Sequence, residues 1–137
     1  MRTMLARTCM VTCLLGASAA GHAQSSIDEL IAKGAKPVDA AELRETLAGA
    51  VIAGPAYRGK EFQWVLNKDG SVSGWTIWTD GAKYENPGKW SVNDKGQFCF
   101  RLAEASGDAA CQDWFKLGSE YFAVRNGQVL KRTVRKL

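Results

Sequence analysis

Few residues in this chain are able to do covalent or acid–base chemistry, and their positions decide most of what the sequence says about function. One histidine, His22, occurs in 137 residues, inside an N-terminal stretch that reads as a secretory signal. Of the four cysteines, Cys9 and Cys13 lie in that same stretch, while Cys99 and Cys111 lie far beyond it. A chain that loses its leader keeps no imidazole. That removes Ser-His-Asp and Cys-His catalysis, histidine-ligated zinc and haem, and histidine acid–base work. Cys99 and Cys111 form an even pair in an oxidising compartment, so a disulfide is expected and no thiolate nucleophile is left. The sequence contains neither a Gly-rich phosphate loop nor a cluster spaced like metal ligands, so no cofactor and no metal site are expected.

Carboxylates are the remaining reactive groups, and they work in pairs that face one cleft. The candidates are Asp108 with Asp113, or Asp69 with Asp80. Asp69, Asp80, Asp94 and Asp108 all stand beside or near glycine, where aspartate hydrogen-bonds the turning backbone, and that turn role is the preferred reading. Asp113 alternates with Cys111 on a strand and reads as a solvated acid. A non-enzymatic protein is therefore expected.

Five tryptophans are the denser signal. Trp64 and Trp90 read as fillers of a small β core. Trp75 and Trp78 fall on opposite faces of one strand, so they cannot both enter the core unless Gly74 supplies a bulge. At least one ring should then point away from the core. With Tyr84, this pair forms the candidate ligand-binding or partner-binding set, because tryptophan and tyrosine combine large contact area with one polar handle.

These residues depend on the elements that position them. The leader spans 1–23: Arg2 and Arg7, an apolar run over 10–20, and small residues Gly21 and Ala23 around His22, with cleavage expected after Ala23. The run is shorter than the ~20 residues that cross a bilayer, and lipid attachment at Cys13 is the disfavoured alternative. The expected location is the periplasm or outside the cell. Removing 23 of the 137 residues leaves 114, the size of one domain. Arg2 and Arg7 go with the leader, so 16 basic and 14 acidic residues remain, a net charge of +2 in place of +4, which does not suggest nucleic-acid binding.

Residues 24–38 read as one helical turn or a mobile segment. A single β domain follows over 39–137. Asp39 caps a helix of about ten residues carrying Leu43 and Leu47, with Gly49 ending it. Period-two alternation then takes over, punctuated by Arg58-Gly59-Lys60, Lys68-Asp69-Gly70, Asn93-Asp94-Lys95-Gly96 and Asn126-Gly127. The count is about eight short strands without a long crossover. The fold class is mainly β: a small antiparallel meander, either an up-and-down barrel or a strongly curved open sheet, with one short N-terminal helix. The hairpin carrying Cys99 and Cys111, over 88–115, is its organising piece.

The last strand ends in Lys131, Arg132, Arg135 and Lys136. Attraction to anionic lipid or glycan is one reading. Charge that protects a sheet edge is the preferred one.

The order of signals resembles the domain of unknown function 995 family of small exported proteobacterial proteins. The features are an Ala-Ala-Glu-Leu helix ending at Gly49, Gly59-x-x-Phe62, the Asp69-Gly70 turn, Gly88-x-Trp90-x-Val92, Phe98-Cys99, and Cys111 followed by Tyr121. The likeness covers roughly residues 39–134 and implies a lipocalin-like barrel. It transfers no activity and no catalytic residue, and the Trp75 and Trp78 pair departs from the pattern. The expected function is an exported binding module for a small apolar or amphipathic ligand or a protein partner. The alternative is an envelope-associated structural protein held by its basic strand. A monomer is expected.

Intact mass of the exported protein, with and without reduction, checks the leader and the thiols together. The expected chain starts at Gln24 and gains two hydrogens on reduction. Two free thiols in the native compartment would overturn the disulfide assignment.

Overall fold

Alternation of apolar and polar side chains specifies pleated ribbons with one dry face, and such ribbons bury that face by curling the sheet into a ring. The computed structural model describes residues 26–137, so the leader and its cleavage point lie outside the described residues. In chain order the elements are α1 (Ile27–Ala32), β1 (Lys36–Pro37), α2 (Ala40–Leu47), β2 (Ala50–Pro55), β3 (Glu61–Leu66), β4 (Ser71–Ile77), β5 (Lys83–Glu85), β6 (Gly88–Val92), β7 (Phe98–Leu102), β8 (Ala110–Leu117), β9 (Glu120–Arg125) and β10 (Gln128–Lys136). Antiparallel pairing runs through β2, β3, β4, β6, β7, β8, β9 and β10, and β10 pairs back onto β2. The meander is therefore a closed eight-stranded barrel. Two short strands lie off the ring, β1 on β8 and β5 on β4.

The turns form where their residues demand. Asn126 and Gly127 have φ of 49° and 75°, the double left-handed conformation of a type I′ turn, and they join Arg125 to its partner Gln128. Gly74 has φ 132°, and a Cβ there would meet the Gln63 carbonyl oxygen at 2.1 Å. It sits where β4 changes partner, from β6 below Val72 to β5 above Trp75. The pairing of β4 with β3 runs through Gly74 without an extra residue, so this is a close approach of two backbones and not a bulge.

Helix α2 plugs one end of the barrel. Asp39 Oδ1 accepts from the Glu42 amide at 2.8 Å, the expected N-cap. The helix has eight residues, not ten, because Ala48 already leaves helical geometry and the Gly49 amide donates to Leu66 O at 2.7 Å. Glu42 does not reach back to complete a capping box; its carboxylate pairs with Lys116 Nζ at 2.9 Å. Leu43 and Leu47 are fully buried and pack into a core with Ile52, Leu66, Phe98 and Trp114.

The described part of 24–38 carries helix α1. Ser26 Oγ caps α1, and the buried side chains Leu30 and Ala35 lie against Phe115 and Val129 on the outer face of the barrel. An apolar outer face on β8, β9 and β10 needs this cover. Replacing Leu43 or Leu47 with alanine should cost about 2–5 kcal/mol each. Urea denaturation checks this. A loss below about 1 kcal/mol at both positions would show that the plug does not hold the barrel.

Candidate functional site

The described residues do not fill the end opposite α2. A cavity of about 190 Å³ opens there, walled by the buried side chains of Ile52, Phe62, Trp64 and Phe98, with Tyr57 and Trp78 among the residues at its rim. That volume exceeds the ~150 Å³ that admits benzene and falls below the ~300–1,000 Å³ of drug-sized sites. Aromatic contacts build the wall: Trp64 packs on Phe62 and Phe100 with ring centroids 4.9 and 4.8 Å away.

Few polar groups line this apolar wall. Asn86 Oδ1 accepts from Trp64 Nε1 at 3.3 Å and from Thr76 Oγ1, which satisfies both donors. Gln112 is 5% exposed and lines the cavity. Arg132 is 4% exposed, and its guanidinium lies 4.7 Å from the centre of the Phe62 ring. Its Nη1 donates to Pro55 O at 2.7 Å and Lys131 O at 3.3 Å. Gly54 makes the space: a Cβ there would stand 3.2 Å from Arg132 Nη1 and 2.5 Å from the Lys131 carbonyl oxygen.

Among the described residues no aspartate or glutamate lines the cavity, whereas Arg58, Arg125 and Arg132 do. Burial pushes the Arg132 guanidinium down to about 10, so it is still a cation at neutral pH. A buried charge without a counter-ion costs several kcal/mol. The Phe62 face and two carbonyl oxygens offset part of that cost and cancel none of the charge. Arg125 sits higher, 4.4 Å over the Tyr57 ring, and Tyr57 Oη accepts from Asn126 Nδ2 at 2.7 Å.

The structure separates the residues read from sequence. Trp78 and Tyr84 meet edge to face with centroids 6.2 Å apart, 40% and 51% exposed, beside a second, wider groove that also touches Glu85 and Glu104. Trp78 borders both the groove and the barrel cavity. Trp75 is apart from them, with Lys83 Nζ 5.0 Å over its ring. Neither Trp75 nor Trp78 belongs to the core, in keeping with the expectation that at least one ring points away from it; the core indoles are Trp64 and Trp114, with Trp90 half-buried against them.

The basic strand divides too. Lys131 pairs with Glu120 at 2.6 Å, and Lys136 Nζ donates to the last carbonyls of α2, Glu45 O and Ala48 O. Arg135 is exposed. Arg132 is the correction to the surface set, because it shares the inward face of β10 with Leu130 and Val134. Cys99 and Cys111 are register partners on the outside of the barrel, their Sγ atoms at the disulfide distance of 2.03 Å. The acids stay away from the cavity: Asp69 accepts from Ser71 N and Oγ, which lowers its pKa, Asp80 accepts from Ala82 N, and Asp113 accepts from Gln97.

Sequence reasoning missed Gln112, Arg125 and Arg132 as cavity residues. The signal was their alternation: Gln112 with Trp114, Arg125 with Tyr121 and Ala123, and Arg132 with Leu130 and Val134 each share one strand face. No protein family, no curated protein and no solved structure matches this chain.

Arg132→Met replaces the buried charge with an apolar chain of similar length. Stability is expected to stay within about 1 kcal/mol of the parent or to rise. Chemical denaturation with circular dichroism reads the change, and a loss above about 3 kcal/mol would show that Arg132 serves the fold.

Proposed function

We propose that this protein is an exported, non-catalytic binding module that holds a small amphipathic molecule in the open end of its barrel. The observation that carries this reading is the hollow end itself. A core that fills one half of a barrel with Leu43, Leu47 and Trp114 leaves a walled apolar space in the other half, with a few polar groups converging on it. The non-catalytic reading is supported by the residue inventory: among the described residues, those lining the cavity include no histidine, cysteine or carboxylate. Export and a place in the periplasm or beyond it rest on the leader, and kinship with the domain of unknown function 995 family rests on the ordered motifs from the capped helix to Tyr121.

A protein partner is the second reading, favoured by the exposed Trp78 and Tyr84 pair. The envelope-anchoring alternative loses support, since Arg132 faces inward and Lys131 and Lys136 already have partners.

Amide-resolved NMR with 1-octanol and octanoate as probes tests the reading. Saturable shifts are expected at Ile52, Phe62, Trp64 and Phe100, and Leu102→Trp at the rim should weaken them while leaving the fold intact. If neither probe perturbs the cavity at millimolar concentration, or if shifts gather only at Trp78 and Tyr84, the barrel is not the binding site.

A further inference from the structure

We infer that the cavity selects a small carboxylate amphiphile, with the carboxylate received by Arg132 and the apolar body lying against Phe62, Trp64 and Phe100. This inference rests on the pocket reading and adds the charge and shape of the head group. The reasoning starts from what Arg132 lacks. Its side chain is inside the barrel and lines the cavity, and no acidic side chain is among the residues around that space. Among the described residues both ion pairs, Lys116 with Glu42 and Lys131 with Glu120, involve exposed lysines elsewhere.

The guanidinium is also only partly used. Nη1 is held by the carbonyl oxygens of Pro55 and Lys131, which fixes the plane of the group, and among the described residues Nη2 and Nε find no acceptor. Donors left on a planar, oriented fork match the two oxygens of a carboxylate. Gln112, buried and lining the same cavity, makes no side-chain hydrogen bond among the described residues, and its amide adds a neutral donor.

The choice of an anion over a neutral polar head follows from charge. A neutral hydroxyl accepts a hydrogen bond from the fork and leaves the cation uncompensated, while a carboxylate neutralises it in a low-dielectric site. Arg125 and Arg58 at the mouth extend the positive field outward, where it raises the encounter rate with anions. The apolar body has the aromatic wall to cover it. The cavity volume of about 190 Å³ restricts that body to a short alkyl chain or a single ring system.

Calorimetry with octanoate and 1-octanol, matched in length and differing in the head group, is the test. Octanoate should bind at least about tenfold tighter at pH 7, since a charge-assisted hydrogen bond outweighs a neutral one by about that factor. Arg132→Met should remove the difference, weakening octanoate by about tenfold or more and octanol by much less. The octanoate advantage should also fade as pH falls through the probe's own carboxyl pKa. If Arg132→Met fails to fold, Arg132→Lys and the Arg132 Nε–H resonance of the parent protein decide: octanoate must shift that resonance, octanol must not, and the lysine variant must lose affinity. Equal affinities, or an octanoate preference that survives Arg132→Met, overturn the head-group assignment and leave the pocket standing. Binding of neither probe removes both.

Discussion

Backbone hydrogen bonding between the first and last ring strands, with Ala53 opposite Thr133 and Ala50 opposite Lys136, is the constraint on which the other features depend. Without it β2 and β10 would be open edges with unpaired amides and carbonyls, and the dry faces of the sheet would have no common interior. With it, every inward side chain of eight strands converges on one axis. The interior of an eight-stranded barrel is just wide enough to be filled by side chains, so which residues point inward at each level decides whether that level is solid or hollow. Leu43 and Leu47 of α2 fill the lower level. Among the described residues nothing equivalent enters from the other end, where the β2–β3 connection carrying Tyr57 and Arg58 lines the mouth.

Closure also explains the two glycines that matter. Gly54 and Gly74 both face inward, at levels where a side chain would collide with a neighbouring strand or with Arg132. Gly54 gives the guanidinium its berth, so the inward arginine is accommodated by the fold rather than forced into it. Gly74 lets β3 and β4 approach closely, and β5 and β6 follow one register along the other side of β4, with the Asn86 amide between them donating to Gly74 O at 2.8 Å. The groove beside Trp78 and Tyr84 lies past the end of β4, where the exposed aromatic pair meets edge to face.

Stability and binding divide the same barrel. The disulfide joins β7 to β8 on the outer face, where shortening a loop of about 13 residues stabilises by roughly 3 kcal/mol in the chain-entropy view. Lys136 ties the C-terminal strand to the end of α2, and Lys116 ties β8 to its first turn. Against these stands Arg132, a buried cation whose desolvation opposes folding. Groups that cost stability and point into a cavity are characteristic of binding sites, where the missing partner belongs to the ligand.

Local signals in the sequence determined the elements. Period-two alternation gave all eight ring strands, Asp39 gave the helix start, and Asn126-Gly127 gave the closing hairpin, because these depend on residues that are neighbours in the chain. The pairing of Cys99 with Cys111 was legible for the same reason: one hairpin brings them opposite each other. The packing of α1 was not legible, since its cover for Phe115 and Val129 joins residues about a hundred positions apart. The site was half legible. The inward face of Arg132 follows from its alternation with Leu130 and Val134, but a basic cluster at a chain end reads as surface charge until the strand is known to be in a barrel wall. That Trp78 reaches the cavity rim while Trp75 stays outside, and that no acid joins Arg132 inside, are facts of ring closure and register. They are decided by the long-range pairing of β2 with β10 and the register of the ring strands, which bring together side chains that no local pattern connects.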